Sequence, residues 1–394
     1  MGCVLLAMSG AAYAVTRTAV EKATSNITQT TLIDDDARAP RRPAQPSGKK
    51  IEGALNLLLV GIDVRPGWDA GARSDTIMIV HIPATHDQAY LISIPRDWRV
   101  PIPANPATDY RGGTDKINAA FEFGYRGEGT ELEKRARGFK LLAKTLHAQT
   151  GLTFNGAALI DFQGFQSVIR ELGGVDMCVD QRASSIHLAY DRKGKIVPIK
   201  FDEASHRVFD LPPGGKVVVH EVGCRAMSAE LALDYARIRY GLPKTDYDRQ
   251  RHQQQLIKAI VKKATSAGVL TDLGRVNRVV TAAGKAFILD TQGVPIIDFL
   301  FTLKGVAAND LVVLKTNQGN FAEVKLNGIS YQRLTEESLD MLRAARDGDL
   351  ARFVADHPEM VASKTADSAD SADQDRAASA DPSASVSGSR PPGR

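Results

Sequence analysis

Residues 55–65 read LNLLLVGIDVR, and this stretch decides the fold. From Leu55 to Ile62 it is almost unbrokenly apolar and too short for an ordinary globular helix, which marks a strand buried on both faces. It stops abruptly at Asp63 and Arg65. Two runs of the same kind follow, Thr76 to Ile82 (TIMIVHI) and Ala89 to Ile94 (AYLISI). Ala157 to Phe162 and Val175 to Val179 are further strand candidates. Helices are expected over Lys116–Tyr125, Glu131–Thr150, Phe165–Leu172, Ser228–Ala236 with Ser228 as N-cap, and Asp248–Thr265. Leu311–Lys315 and Phe321–Leu326 are expected to add a late hairpin to the same sheet. Strands mixed with helices in this way imply an α/β fold of three layers, α/β/α, around a mostly buried mixed β-sheet.

Outward from that core the chain becomes polar. Residues 53–358 read as one catalytic-sized domain. Residues 16–52 read as a linker, because Asp34-Asp35-Asp36 and the Pro/Arg-rich stretch after Ala39 carry no apolar period and should be extended or disordered. Residues 359–394 read as a disordered Ala/Ser/Asp-rich tail. Residues 1–15, MGCVLLAMSGAAYAV, are apolar but short for a spanning helix. They are expected to be the outer part of an N-terminal membrane anchor that starts further upstream, with a signal peptide cut after Ala12-Tyr13-Ala14 as the alternative. A net charge of +4 over 394 residues does not indicate a nucleic-acid binder. There is no CxxC or HExxH for zinc and no Walker A or GxGxxG after a strand, so neither a zinc site nor nucleotide use is indicated. Cys178 and Cys224 could form one disulfide or be two separate buried thiols.

Charged residues gather at the strand ends. Asp63 and Arg65 follow the first strand, Arg73 and Asp75 precede the second, and Arg96 and Asp97 follow the third. Strand ends of open α/β sheets are where ligand crevices form. Each residue alone fits ordinary turn chemistry; the set together points to a site. A second cluster runs DYARIRY (234–240) and TDYDRQRHQQQ (245–255). Arg237 and Arg239 alternate around Ile238, so an extended chain would point both to one side. Arg249 and Gln253 share one helix face near its start, where an anion is favoured. With that helix starting at Asp248, its basic first turns oppose the dipole unless an anion is bound. Arginines together with aspartates suggest Mg²⁺ bridging carboxylates to a pyrophosphate, with guanidinium groups on the other oxygens. Phosphoryl transfer needs that positioning and charge stabilisation.

LNLLLVGIDVR, RSDTIMIV, ISIPRDWRV, DKINAAF, DFQGFQSVIRELGGVDMCV and LDYARIRYGLPKTDYDRQRHQQQ together resemble the LytR-CpsA-Psr family, in order from about Leu55 to Ile260. One departure is His252, where that family more usually has arginine. The resemblance implies a phosphotransferase that moves a glycopolymer phosphate from a polyprenyl-pyrophosphate carrier to peptidoglycan. It implies Asp63 and Asp75 as ligands of Mg²⁺ (or Mn²⁺). It implies Arg73, Arg96, Arg237, Arg239, Arg249 and Gln253 as pyrophosphate contacts, with Lys116 and Asn118 at the mouth. Asp97 and Asp246 are both candidates for the base. The resemblance also implies an apolar lipid tunnel, for which Phe121, Phe139, Leu142, Leu146 and Phe165 are lining candidates. It places the domain outside the cytoplasmic membrane, a setting that favours a Cys178–Cys224 disulfide. Two other readings use the same charges: a polyprenyl-pyrophosphate hydrolase, and a non-catalytic binder or regulator of envelope lipids.

Overall fold

A computed structural model of the chain describes residues 28–40, 51–63, 72–202, 205–266, 278–279, 281–282, 287–295, 298–299, 302 and 311–362; at Asp63, Thr265 and Ser266 only the backbone is described. The central sheet has seven strands: β1 (Thr28–Gln29), β2 (Leu55–Asp63), β3 (Arg73–Ile82), β4 (Ala89–Ser93), β5 (Gly156–Asp161), β6 (Phe287–Asp290) and β7 (Leu311–Leu314). Their order is β1-β6-β5-β2-β3-β4-β7. The sheet is mixed. β2 runs parallel to β5 and antiparallel to β3, and β4 pairs antiparallel with β3 and parallel with β7. β2 therefore sits in mid-sheet, which explains an apolar sequence on both of its faces.

The two faces separate with the strand period of two. Leu58, Val60 and Ile62 of β2 and Ile77 and Ile79 of β3 enter the main core. There they meet α1 (Ile117–Tyr125) and α2 (Glu131–Thr150) through Phe121, Phe139, Leu142 and Leu146. Each such fully buried side chain contributes roughly 1.5–3 kcal/mol. Gly61, Thr76 and Met78 face the other way, toward α3 (Phe162–Glu171), α4 (Ala229–Arg237) and α5 (Thr245–Ser266). Helices thus cover both faces of the sheet. α2 is held at its start by a Thr130–Glu133 capping box and ends on Gly151 in the left-handed region.

Three expectations are corrected. Part of the supposed linker is built into the fold: β1 pairs parallel with β6, and Leu32 and Ile33 are fully buried. Their N–H groups both donate to the Asp290 carboxylate, at 2.9 and 3.1 Å. A polar composition concealed this, because Leu32, Ile33 and Ala37 reach the core from among polar neighbours. The expected late hairpin does not form on the sheet. Leu311–Leu314 joins β4, whereas Glu323–Leu326 pairs with Ile329–Gln332 in a separate ribbon. The fold also runs past residue 358, since Met360 is fully buried and Val361 bridges Leu314. Residues 1–15 and 363–394 lie outside the described residues; among the described ones no helix is long and apolar enough to cross a membrane.

The Cys178 and Cys224 sulfurs are joined in a disulfide. The two residues are direct partners in an antiparallel ribbon, Val175–Val179 against Gly223–Met227.

Candidate active site

The ends of β2, β3 and β4 bring the first charged residues together. β3 carries a bulge here: Ile62 faces Ser74 and Gly61 faces Thr76, so Asp75 is the extra residue. A bulge re-aims a side chain that a regular ladder would commit to one face. Asp75 Oδ1 accepts from Arg96 Nη1 at 2.5 Å. Arg96 follows β4 in the SIPRDW segment. That segment is stitched to the KIN segment at the start of α1: Ile117 N–H donates to the Trp98 carbonyl at 2.8 Å, and Asn118 N–H to the Arg96 carbonyl at 3.1 Å.

α5 supplies the other half. Its N-terminus places Asp246 Oδ1 3.3 Å from Arg96 Nε and 2.7 Å from Arg249 Nη2. Arg249 also donates to the Asp75 carbonyl at 3.2 Å. Asp97 holds Lys116 Nζ at 2.9 Å and lies 3.9 Å from Arg96. Asp75, Arg96, Asp97, Lys116, Asp246 and Arg249 therefore form one continuous charged cluster from four chain segments.

Burial shapes its electrostatics. Burial alone would raise the Asp75 pKa, but Arg96, then Arg249 and Arg239, outweigh it and hold the carboxyl below its usual range. Arg96 is held more firmly protonated than usual: burial opposes its charge, but Asp246, Asp75 and Asp97 prevail. Arg249 is shifted the other way, because complete burial and repulsion from Arg96 and Arg239 exceed the pull of Asp246 and Asp75. Arg249 Nε and Gln253 Oε1 are buried polar atoms without a hydrogen-bond partner.

Beside the cluster, between the sheet and α3, α4 and α5, lies a small cleft. Gly61, Met78, Phe162, Phe165, Leu256 and Ile257 make most of it apolar, and Arg237 and Gln253 give it a polar end. Gly61 packs closely there: a Cβ would meet the Thr76 Cβ at 3.0 Å. Arg237 lies over the Phe162 ring, 4.1 Å from its centroid.

Several site residues sit differently from the sequence reading. Arg73 turns to Glu122 of α1, at 2.7 Å, and does not join the cluster. Arg237 and Arg239 are not on one extended strand; Arg237 ends α4 and Ile238 is its extended C-cap. α5 starts at Thr245, so Asp246 and Asp248 occupy its first turn and complement the dipole. The start of this helix therefore needs no bound anion to offset its dipole. His252 is fully buried, stacked on Tyr235 with centroids 4.0 Å apart, and faces Asp180. It therefore points away from the cluster. Asp248 pairs with Arg251 at 2.6 Å. Phe121, Phe139, Leu142 and Leu146 belong to the main core, and of the tunnel candidates only Phe165 lines the cleft.

Gln254 was not singled out from sequence, yet it anchors α5 to the sheet by donating to Ser93 Oγ at 2.8 Å and to the Leu314 carbonyl at 3.3 Å. Asp180 was missed too. It accepts from Arg251 at 2.6 Å, Gln255 at 3.0 Å and the Tyr235 hydroxyl at 2.9 Å, tying α4 and α5 together. Its position two residues after Cys178 was the available signal.

Known proteins are similar to this chain in sequence and architecture. The chain is 25% identical over 295 residues to the cell wall biosynthesis protein LcpA of Corynebacterium glutamicum, covering 67% of this chain and 50% of that protein. It is 26% identical over 293 residues to the polyisoprenyl-teichoic acid–peptidoglycan teichoic acid transferase TagV of Bacillus subtilis, covering 73% and 65% respectively. The chain thus spans about half to two thirds of the length of these relatives. The crystal structure of Bacillus subtilis TagV superposes with a TM-score of 0.53 at 20% identity, over 76% of this chain and 98% of that one. TagT bound to LI-WTA superposes with a TM-score of 0.54 at 21% identity, over 82% and 99%. These likenesses establish the fold. The LytR_cpsA_psr family pattern matches residues 13–347, and the chain belongs to that family.

Proposed function

We propose that this chain transfers a phosphate-linked glycopolymer from a polyprenyl-pyrophosphate carrier to peptidoglycan. The observation that carries the reading is a charged cluster, Asp75, Arg96, Asp246 and Arg249, set against an apolar cleft whose polar end is Arg237 and Gln253. A pyrophosphate needs the first and a prenyl chain needs the second. The names of TagV and LcpA, and the ligand of TagT, support the same reading.

Arg96, Arg249 and Arg239 would take the pyrophosphate oxygens, with guanidinium forks matched to phosphate geometry. Arg237 and Gln253 would meet the carrier-side phosphate where the cleft begins. The acceptor hydroxyl oxygen attacks the phosphorus that bears the glycan, and the bond from that phosphorus to the bridging oxygen breaks. Polyprenyl phosphate leaves with the bridging oxygen, and the acceptor proton passes to a carboxylate. Asp97 is the better placed of the two candidates. Asp246 is engaged by both Arg96 and Arg249, whereas Asp97 sits at the more open rim beside Lys116.

Asp75 and Asp63 would hold Mg²⁺ (or Mn²⁺), which supplies charge neutralisation at the pyrophosphate. The donors fit. Asp75 Oδ1 is taken by Arg96, while Oδ2 makes no hydrogen bond among the described residues. Asp63 stands opposite Arg73 in the ladder, two residues from Asp75. Among the described residues no three metal-ligating side chains meet, and Mg²⁺ commonly takes one or two carboxylates and fills the rest with phosphate oxygens and water. The disulfide fits an extracytoplasmic setting, with the membrane reached through the N-terminal segment.

The test uses the intact chain, Mg²⁺, a synthetic polyprenyl-pyrophosphate-linked glycan and a peptidoglycan acceptor, with an active relative as control. Polyprenyl phosphate should appear together with acceptor-linked glycan. Free glycan phosphate without acceptor linkage would make the protein a hydrolase. No release, with the control active, removes the reading.

A further inference from the structure

Arg237 and Arg239 flank Ile238 and leave the charged cluster in two directions. Arg237 lines the apolar cleft. Arg239 lies over Tyr240, 5.0 Å from the ring centroid, with Nη2 3.5 Å from the Tyr240 hydroxyl. Arg239 is near enough to Asp75 and Arg249 to bias the charge of both. Beyond it stands a trio of rings. Tyr240 is 5.0 Å from Phe201 and 6.1 Å from His206, and Phe201 and His206 are 6.3 Å apart. Phe201 and His206 come from a two-stranded ribbon, Lys200–Asp202 with Arg207–Phe209, and its connection.

The trio is not interior packing. Phe201 and Tyr240 are half-buried and His206 is exposed. The rings meet at 52°, 84° and 90°, so they form a corner rather than a flat stack. Such a corner presents negative ring faces to a solute carrying weakly positive C–H groups. A pyranose ring has that kind of face, with hydroxyls around its edge. Arg239, on the side of the pyrophosphate, can meet those hydroxyls. A few polar groups around an aromatic surface is how small-ligand sites gain orientation.

We propose that Tyr240, Phe201 and His206 form a carbohydrate subsite that stacks on the sugar next to the transferred phosphate. This rests on the donor reading above and deepens it: Arg237 marks the lipid side of the pyrophosphate and Arg239 the glycan side. The subsite holds the sugar while the phosphorus is attacked and takes no part in bond making.

Two measurements on the full chain test it. In the first, saturation-transfer NMR uses an N-acetylglucosamine disaccharide as probe. The sugar signal should fall by more than half in Tyr240→Ser and in Phe201→Ser, both checked for native circular dichroism, and should persist in Tyr240→Phe. In the second, farnesyl pyrophosphate is compared with farnesyl-pyrophosphoryl-N-acetylglucosamine. The sugar should tighten binding by about 2–10-fold. Phe201→Ser should erase that gain and leave farnesyl pyrophosphate binding unchanged. If farnesyl pyrophosphate fails to bind while the disaccharide signal depends on Tyr240, the donor reading falls and the subsite stands. A disaccharide signal that is absent, or unchanged in both serine variants, overturns the subsite. Loss of binding to phosphatidylglycerol vesicles in those variants would then assign the rings to a membrane contact.

Discussion

Arg96 is the residue on which the charged cluster turns. It touches Asp75 at 2.5 Å and Asp246 at 3.3 Å, and Asp97 lies at 3.9 Å. Removing it leaves three carboxylates facing one another with less cationic charge between them. Arg96→Ala should lower turnover by about 10²-fold or more and destabilise the fold by roughly 3 kcal/mol. Arg96→Lys should keep most of the stability but not the forked contacts, leaving turnover well below wild type. Release of polyprenyl phosphate and thermal melting measure the two effects separately; wild-type turnover in Arg96→Ala would remove Arg96 from the mechanism. The position of this residue was readable, because an arginine directly after a buried strand stands at the sheet's end. The fate of Arg73 was not, because its partner Glu122 lies far along the chain and no local pattern links them.

At the scale of elements, β3 stores a pH dependence. His81 is buried between Asn56 of β2 and Tyr90 of β4. Its Nδ1 lies 2.8 Å from Asn56 Oδ1, and its Nε2 has no partner. Burial pushes its pKa from 6.5 down to about 4. The unfolded chain therefore takes up a proton below about pH 6.5 that the fold refuses. The sign is that stability present above pH 6.5 is lost as pH falls toward about 4. The loss should be on the order of 3 kcal/mol. In His81→Gln, denaturant unfolding at pH 7 and pH 4.5 should show that much less difference than in the wild type; equal slopes in the two proteins would rule the assignment out. The strands themselves were legible in their apolar runs. The bulge at Asp75 was not, because it is set by how β3 meets β2 rather than by either strand alone. The start of α5 was misplaced by three residues, since Thr245 and Asp246 read equally well as loop, and that shift reversed the dipole argument.

At the scale of the whole molecule, the Cys178–Cys224 bond closes a segment with a sequence separation of 46. Reduction, or replacement of both cysteines by serine, should destabilise by about 2–4 kcal/mol. It should also reduce turnover, because Asp180 beside that ribbon fixes α4 and α5. Alkylation with and without reductant, read by mass, checks the bond, and melting of the double-serine variant checks its contribution; two free thiols without reductant would refute it. The layered architecture was readable from strand and helix periods. The entry of the chain was not, because a few buried residues among polar neighbours leave no period. That entry has a geometric consequence. β1 runs parallel to β6, β6 antiparallel to β5, and β5 parallel to β2. Thr28 therefore opens its strand at the end of the sheet where Asp63 closes β2, three strand spacings or about 15 Å across. A leash leaving from Thr28 to a bilayer would moor the molecule by its reactive rim, so a carrier embedded in that bilayer would meet the arginines without the protein having to turn over.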